Sequence, residues 1–435
     1  MNDGLIADNL SVKGSGLQFC GQDVAALAKE YGTPLYLMDE DCIRARCRTY
    51  REAVKRAFGE RGRVLYASKA AAFLHMFRIM QEEGLSVDVV SCGELYTAYK
   101  AGFPMENVWF HSSNKTDADI AFGMDLGVGC FIVDNTDELE SIDRIAAERQ
   151  FRQDILLRIT PGIDPHTFDA VATGKVDSKF GFGIETGAAE AVTARALELP
   201  HVRLVGFHCH VGSQVFDSDV FLRSADILFS YMDRIRAVYG YVADRLDLGG
   251  GYGVRYVASD PALDLAANIA EVGARVKALC ERYAYPQPEI SFEPGRSIVA
   301  DAGLTVYTVG TVKRIPDVVN YVSVDGGMTD NIRYALYGAS YTVLPASRMD
   351  EPAEMNCTVV GRCCESGDII QPNVLLPEST RRGDLLAVCT TGAYHYSMAS
   401  NYNRLPRPPI VMLRGGTSTV AVRRETLDDL LRCDA

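Results

Sequence analysis

The sequence has one tryptophan, no cysteine pair at metal-binding spacing, no block of basic residues and no long apolar run, and each shortage removes a class of protein. With 44 Lys and Arg against 57 Asp and Glu, the net charge is −13. A chain this acidic and without a Lys/Arg-rich block is a poor binder of nucleic acid or anionic membrane, so neither is expected as a partner. No apolar run approaches the roughly 20 residues that span a bilayer. The N-terminus, MNDGLIADNLSVKGSGLQF, lacks a basic stretch followed by an apolar one. No secretory leader is therefore read, and the expected location is the cytoplasm. The twelve cysteines are sparse for this length, and none forms a CxxC pair. Structural zinc and a disulfide framework are not expected; most thiols read as reduced, packed small hydrophobes. The dinucleotide fingerprint GxGxxG is absent, because the sixth residue from Gly249 is Val254.

What is present is a globular chain of 435 residues, 47% hydrophobic and 23% charged. That length suits an α/β barrel of about 250 residues plus a smaller domain. Eight strand candidates run VLYAS (64–68), SVDVVS (86–91), VWFHS (108–112), CFIVD (130–134), ILLRIT (155–160), LVGFHCHV (204–211), LDLGG (246–250) and ISFEP (290–294). Helical patterns such as FLHMFRIMQEE (73–83), DELESIDRIAAER (137–149) and LDLAANIAEVGARVKALCERY (263–283) separate them. Strands interrupted regularly by helices predict parallel pairing with right-handed crossovers. Eight such units point to a (β/α)8 barrel, although a doubly wound open sheet reads similarly. After about residue 303 the texture turns to β-branched runs with turn residues between them, which predicts a mostly β second domain. TPLYLMD (33–39) is a candidate to join it. The expected division is 40–302 for the barrel and 1–39 plus 303–435 for the β domain.

Polar residues collect where these strands end: Ser68 and Lys69, Ser91, Asn114, Asp134, Arg158, His208 and His210, Gly249 to Gly251, and Glu293 with Arg296. A barrel builds its active site on that rim. Lys69 there is either a rim ion pair or the amine of a Schiff base to a carbonyl cofactor. His208 and His210 are two apart on a strand and thus share a face; they are either a metal pair lacking a third ligand or an imidazole stacked on a flat cofactor. DLGGGYG (247–253) is either a tight turn or a loop whose amides crowd round a phosphate. In EPGR (293–296), Glu293 and Arg296 are either an ion pair or a ring-nitrogen partner and an anion binder. GRCCESGD (361–368) sets vicinal cysteines in a polar loop where a thiol could donate a proton. NIRYALY (331–337) and GAYHYSMASNYN (392–403) carry an arginine and tyrosines suited to carboxylate recognition, or are surface loops.

In order and spacing, YASKA, GLSVDVVSCGEL, HCHVGSQ, GGGYG, EPGR, VDGGM, CCESGD and GAYHYSMASNYN resemble the alanine-racemase-like (fold type III) PLP-dependent decarboxylases, over about residues 30 to 420. TGKVDSKFG (173–181) and SMASNYN (397–403) favour the branch acting on meso-2,6-diaminopimelate over those acting on ornithine or arginine. The resemblance implies pyridoxal 5'-phosphate as cofactor, with Lys69 attached to it as a Schiff base. It implies His210 against the ring, Glu293 on the pyridine nitrogen, and Ser213, Gly250, Gly251 and Pro294–Gly295–Arg296 around the phosphate. Asp88, in the GLSVDVVSCGEL motif, and Tyr394 would also border the cofactor. Arg296, Arg333, Tyr337 and Tyr394 would meet the substrate, with Arg296, Arg333 and Tyr337 on its distal carboxylate. Cys364 and Glu365 would enter from the partner subunit of a homodimer with shared active sites, Cys364 as the acid that protonates Cα.

The implied reaction releases L-lysine and CO2, the last step of lysine biosynthesis. Three departures stand out: SSNK (112–115) where the family has Gly-Asn-Asn-Lys, Arg333–Tyr334 where Arg-Pro is frequent, and Phe168 in place of a second histidine after the PHT of residues 165–167. The alternatives are a related decarboxylase for D-ornithine, D-lysine or carboxynorspermidine, and a catalytically silent PLP-binding homologue.

Overall fold

The structure is a computed structural model that describes residues 5–163 and 179–435. PHT with Phe168, and the part of TGKVDSKFG that includes Lys175, lie outside the described residues. The chain forms two compact units: Arg46–Gly253 with Ala262–Gly295, and Met1–Ala45 with Val254–Pro261 and Arg296–Ala435.

The first unit is a closed parallel barrel. Its strands are β1 (Gly62–Ala67), β2 (Ser86–Val89), β3 (Val108–Phe110), β4 (Cys130–Val133), β5 (Gln153–Thr160), β6 (Val202–His208), β7 (Arg245–Asp247) and β8 (Glu289–Phe292). Each pairs in parallel with the next, and β8 closes on β1 through Ile290–Gly62, Ser291–Arg63 and Phe292–Val64. Leu65, Trp109, Cys130, Ile132, Leu156 and Val205 form an apolar cluster drawn from five of the strands. The connecting helices start where the sequence offers caps. The side chains of Ser91, Thr116, Asn135 and Asp264 each accept a backbone N–H of the first turn that follows. Between β5 and β6 the register shifts at Leu204/Gly206. A Cβ on Gly206 would lie 1.8 Å from the Arg245 carbonyl, so only glycine lets β6 run this close to β7.

The strands stop earlier than the sequence patterns suggest. β1 ends at Ala67 and β8 at Phe292, which places Lys69 and Glu293 on the loops that leave the barrel. β6 ends at His208, so His210 lies past the strand and the expectation of two histidines on one strand face is corrected.

The second unit is strand-rich. Leu35–Asp39, buried along its whole length, is an inner strand of its sheet, antiparallel to Gly303–Ile315 and parallel to Ile410–Arg414. TPLYLMD thus joins the β domain. Val319–Val324, Ala353–Val360 and Ile369–Pro377 extend the sheet on one side and Thr417–Val422 on the other. Leu35, Leu37, Leu304, Val306, Ala387, Val411 and Leu413 belong to its core, with Leu10, Leu17 and Phe19 of the N-terminal hairpin. Among the described residues, no helix of either unit is long and apolar enough to cross a membrane.

Candidate active site

In the barrel unit, Lys69 sits exposed on a 3-10 turn, Ser68–Ala70, immediately after β1. That turn is tied to the next unit of the barrel by Glu94. Its Oε2 accepts from the Ser68 hydroxyl at 2.7 Å and from the Val90 N–H at 2.8 Å. The Lys69 ammonium lies in the field of Asp88 and Glu94 and disfavours protonation of both carboxyls, against burial that favours it. The other lysines named by the sequence are differently placed. Lys115 is sealed in the barrel, donating to Glu138 Oε1 and the Ile132 carbonyl at 2.8 Å each. Lys179 lies over the ring of Phe180.

Glu293, one residue past β8, is buried between two imidazoles. His208 Nε2 is 3.1 Å from Oε2, and His111 Nε2 is 2.7 Å from Oε1. The second contact is short but too bent for a well-formed N–H···O bond, so Oε1 keeps acceptor capacity. Burial alone would raise the Glu293 pKa; His111 and His208 outweigh it and hold the carboxyl well below the usual range. Burial lowers both imidazoles, His111 to about 4, so both are neutral at pH 7. Asp88 and Asp247 are buried nearby, and burial with the neighbouring Glu293 charge pushes both well up. The ionised member of this carboxyl group is thus Glu293. His111, His208 and Glu293 have donor atoms within 4.8 Å of one another, a spacing a metal could use, but both carboxylate oxygens already face imidazole nitrogens.

Beside this cluster, the Gly250 N–H donates to His210 Nδ1 at 3.3 Å, which puts the proton of the neutral ring on Nε2. Asp247 Oδ1 accepts from the Gly249 N–H at 2.7 Å and pins the start of the glycine turn. A Cβ on Gly250 would lie 2.1 Å from the Glu293 carbonyl, and Gly251 has φ +123°, so glycine is required at both positions. Ser213 is half-buried on the loop after His210, and Pro294 and Gly295 are buried.

In the strand-rich unit, Arg296 opens the short helix Arg296–Val299 and donates from Nη1 to the Tyr256 hydroxyl at 2.6 Å. Its guanidinium lies 4.7 Å from the Tyr394 ring centre, while that of Arg333 lies 5.2 Å from the same ring and 5.1 Å from the ring of Tyr337. Tyr394 therefore touches two buried guanidiniums, and holds φ +63°, the left-handed region. Arg333 has no ion-pair partner among the described residues, and its Nε is buried without a hydrogen-bond partner. Tyr394 is flanked in sequence by His395, whose Nδ1 donates to the Ala393 carbonyl at 2.9 Å and whose Nε2 meets the Asn331 amide at 3.1 Å.

The vicinal cysteines differ. Cys363 is half-buried; its N–H donates to Asp368 Oδ2 at 2.7 Å, and burial with Asp368 pushes its thiol up to about 11. Cys364 is exposed, with its N–H on Asn403 Oδ1 at 2.8 Å. Glu365 accepts from the Ser366 hydroxyl and the Gly367 N–H at 3.2 Å each.

The sequence reading missed His111, Glu94, Asp247 and Tyr256. His111 had a usable signal: it is the first residue after β3, the position at which a barrel presents polar groups, inside the quoted VWFHS. Tyr256 had none, since its partner is 40 residues away.

Residues 40–300 match the family described as pyridoxal-dependent decarboxylase, pyridoxal binding domain. The chain is 45% identical over 418 residues to the diaminopimelate decarboxylase of Bacillus subtilis (strain 168), covering 96% of this chain and 95% of that one. It is 44% identical over 427 residues to the diaminopimelate decarboxylase of Halalkalibacterium halodurans, covering 97% and 96%. Among solved structures it is similar to the diaminopimelate decarboxylase of M. jannaschii in co-complex with L-lysine, with TM-score 0.91, 32% identity and 99% of each chain covered.

Proposed function

Since the chain belongs to the diaminopimelate decarboxylases, a branch of the pyridoxal-dependent decarboxylases, and converts diaminopimelate to lysine with pyridoxal 5'-phosphate, we infer how its own residues divide that work. Three features of the barrel unit fit the cofactor. Glu293 Oε1 is a buried anionic oxygen with acceptor capacity, His210 is a neutral flat ring, and Gly249–Gly251 is a turn confined to glycine. When bound, pyridoxal phosphate supplies the sink for the electron pair left on Cα as its carboxylate departs.

Lys69 is the amine that anchors the cofactor, gives way to the substrate amine and returns to free the product. Glu293 holds a proton on the ring nitrogen, because an anion beside a pyridinium stabilises that proton. Asp88, whose carboxyl pKa burial and the Glu293 charge push up, borders the same space. His210 covers the ring; Ser213, Gly250, Gly251 and Pro294–Gly295–Arg296 hold the phosphate through N–H, O–H and guanidinium donors. Arg296 and Arg333, with Tyr337 and Tyr394, read the distal carboxylate. The observation that carries the specificity is Arg333: a buried guanidinium resting on aromatic rings, with no carboxylate of the described chain paired to it, suits an anionic group brought by the substrate. A substrate lacking that group leaves it buried and uncompensated.

Cys364, the exposed thiol of the pair, protonates Cα, and Glu365 suits the substrate's distal ammonium. Both act across the interface of a homodimer, each completing the partner's site. In functional terms the cofactor part spans 40–302, which keeps Arg296 with the β8 segment leading into it, and the remainder is 1–39 with 303–435. Twelve free thiols favour work in a reducing compartment, the cytoplasm. The test is product analysis: meso-diaminopimelate should yield L-lysine and CO2 only with pyridoxal phosphate loaded. Faster turnover of D-lysine, D-ornithine or carboxynorspermidine would overturn the assigned specificity.

A further inference from the structure

His111 and His208 take no part in the roles assigned above, yet both are buried in the barrel unit, 6% and 1% exposed. They come from the ends of β3 and β6, far apart in sequence, and converge on one carboxylate from its two oxygens, at 2.7 and 3.1 Å. Their rings meet edge to face, centres 5.0 Å apart at 77°, so neither ring can turn without displacing the other.

We propose that His111 and His208 are positioning residues: a pair of imidazoles, each presenting an Nε2–H to a different oxygen of Glu293, that fixes the carboxylate facing the cofactor's ring nitrogen. The inference rests on the role of Glu293 given above and deepens it. An N···O separation of 2.7 Å requires a proton on one of the two atoms even where the approach is bent, since two lone pairs at that distance repel. With the ring neutral and the carboxylate ionised, that proton is on Nε2 and the imidazole is the donor. His208 follows the same logic; its Nδ1 is buried without a partner, the arrangement that leaves its single proton on the Glu293 side. The bent approach of His111 matters too, because it steadies Oε1 without filling it. Without these donors, a carboxylate enclosed beside Asp88 and Asp247 takes up a proton and no longer supports a positive ring.

The test uses holoenzyme loaded with pyridoxal phosphate carrying 15N in its ring, whose nitrogen resonance reports protonation directly. In wild type the resonance should be that of a pyridinium. His111→Phe should move it toward neutral pyridine and lower kcat about 10- to 100-fold, the loss of one charge-assisted bond, with KM changed much less. His111→Gln, which keeps an N–H donor, should restore most of both. Glu293→Gln separates the two ideas. If it leaves the resonance at the pyridinium position, the role of Glu293 itself is wrong. If it moves the resonance but cofactor-loaded His111→Phe does not, the imidazole pair is not a positioning device. Should His111→Phe fail to fold or load, wild-type holoenzyme with 15N-labelled histidine decides. It should show two solvent-protected Nε2–H proton signals, the His208 one further downfield than the bent His111 one, the first lost in His208→Gln and the second in His111→Gln. Absence of the His111 signal overturns the proposal.

Discussion

In the barrel unit the buried charges are matched by the chain itself, Lys115 to Glu138 and Glu293 to His111 and His208, whereas in the strand-rich unit Arg296 and Arg333 are buried against tyrosine rings. Under the proposed assignment, the difference follows from what each region holds. A cofactor that stays bound needs its partners oriented beforehand, and a carboxylate at a strand end flanked on both oxygens by buried imidazoles is held in place. A substrate that comes and goes needs a charge left available. Arg333 rests on aromatic faces with its Nε unspent, whereas Arg296 already donates to the Tyr256 hydroxyl.

Substitutions can break either half of this contrast. The largest loss should follow Lys69→Ala, which removes the amine proposed to anchor the cofactor; turnover should fall by at least about 10,000-fold. Borohydride reduction and peptide mapping of wild type should find the pyridoxyl group on Lys69, and a group on Lys115 or Lys179 would contradict the assignment. Glu293→Gln should lower kcat by about 100- to 1,000-fold while cofactor remains bound, because a neutral amide cannot hold the ring proton. Arg333→Ala should act on the other half of the contrast, raising KM for diaminopimelate about 10- to 100-fold and narrowing its advantage over lysine-like competitors. Unaltered discrimination would mean that the distal carboxylate is read elsewhere.

The smallest effect concerns stability. Burial, with the charges of Arg333 and Arg296, lowers His395 to about 3, far below its unfolded value of about 6.5. The unfolded chain therefore binds a proton that the folded one refuses. This contribution is whole above pH 6.5 and is lost as pH falls toward 3, by about 2 kcal/mol at pH 5. Thermal unfolding of His395→Gln should be flatter between pH 6.5 and 5 than that of wild type; identical slopes would place the acid sensitivity in other groups.

The barrel was legible because eight apolar runs alternate with helical patterns. The sheet of the second unit was less so. Ile369–Pro377 carries two prolines and pairs with Ala353–Val360 through three register shifts, which erases the two-residue period a strand is recognised by. The site divides along the same line. Lys69, His210, the glycine turn and EPGR are local motifs at strand ends and could be quoted. The Arg296–Tyr256 bond and the two guanidiniums on Tyr394 exist only through long-range packing, so no spacing announces them. The vicinal cysteines were indistinguishable as letters. They separate once Asp368 is seen to hold the Cys363 backbone while Cys364 faces outward.

The most direct test of the division of labour is a mixing experiment with two inactive proteins, Lys69→Ala and Cys364→Ala. If the barrel of one copy works with the cysteine loop of its partner, re-equilibrated mixtures contain about half heterodimers by random pairing, each with one intact site and one doubly damaged site. Lysine release should then return to roughly a quarter of the wild-type rate. Confirmed subunit exchange by mass spectrometry with no recovered activity would contradict the account and confine both residues to one chain.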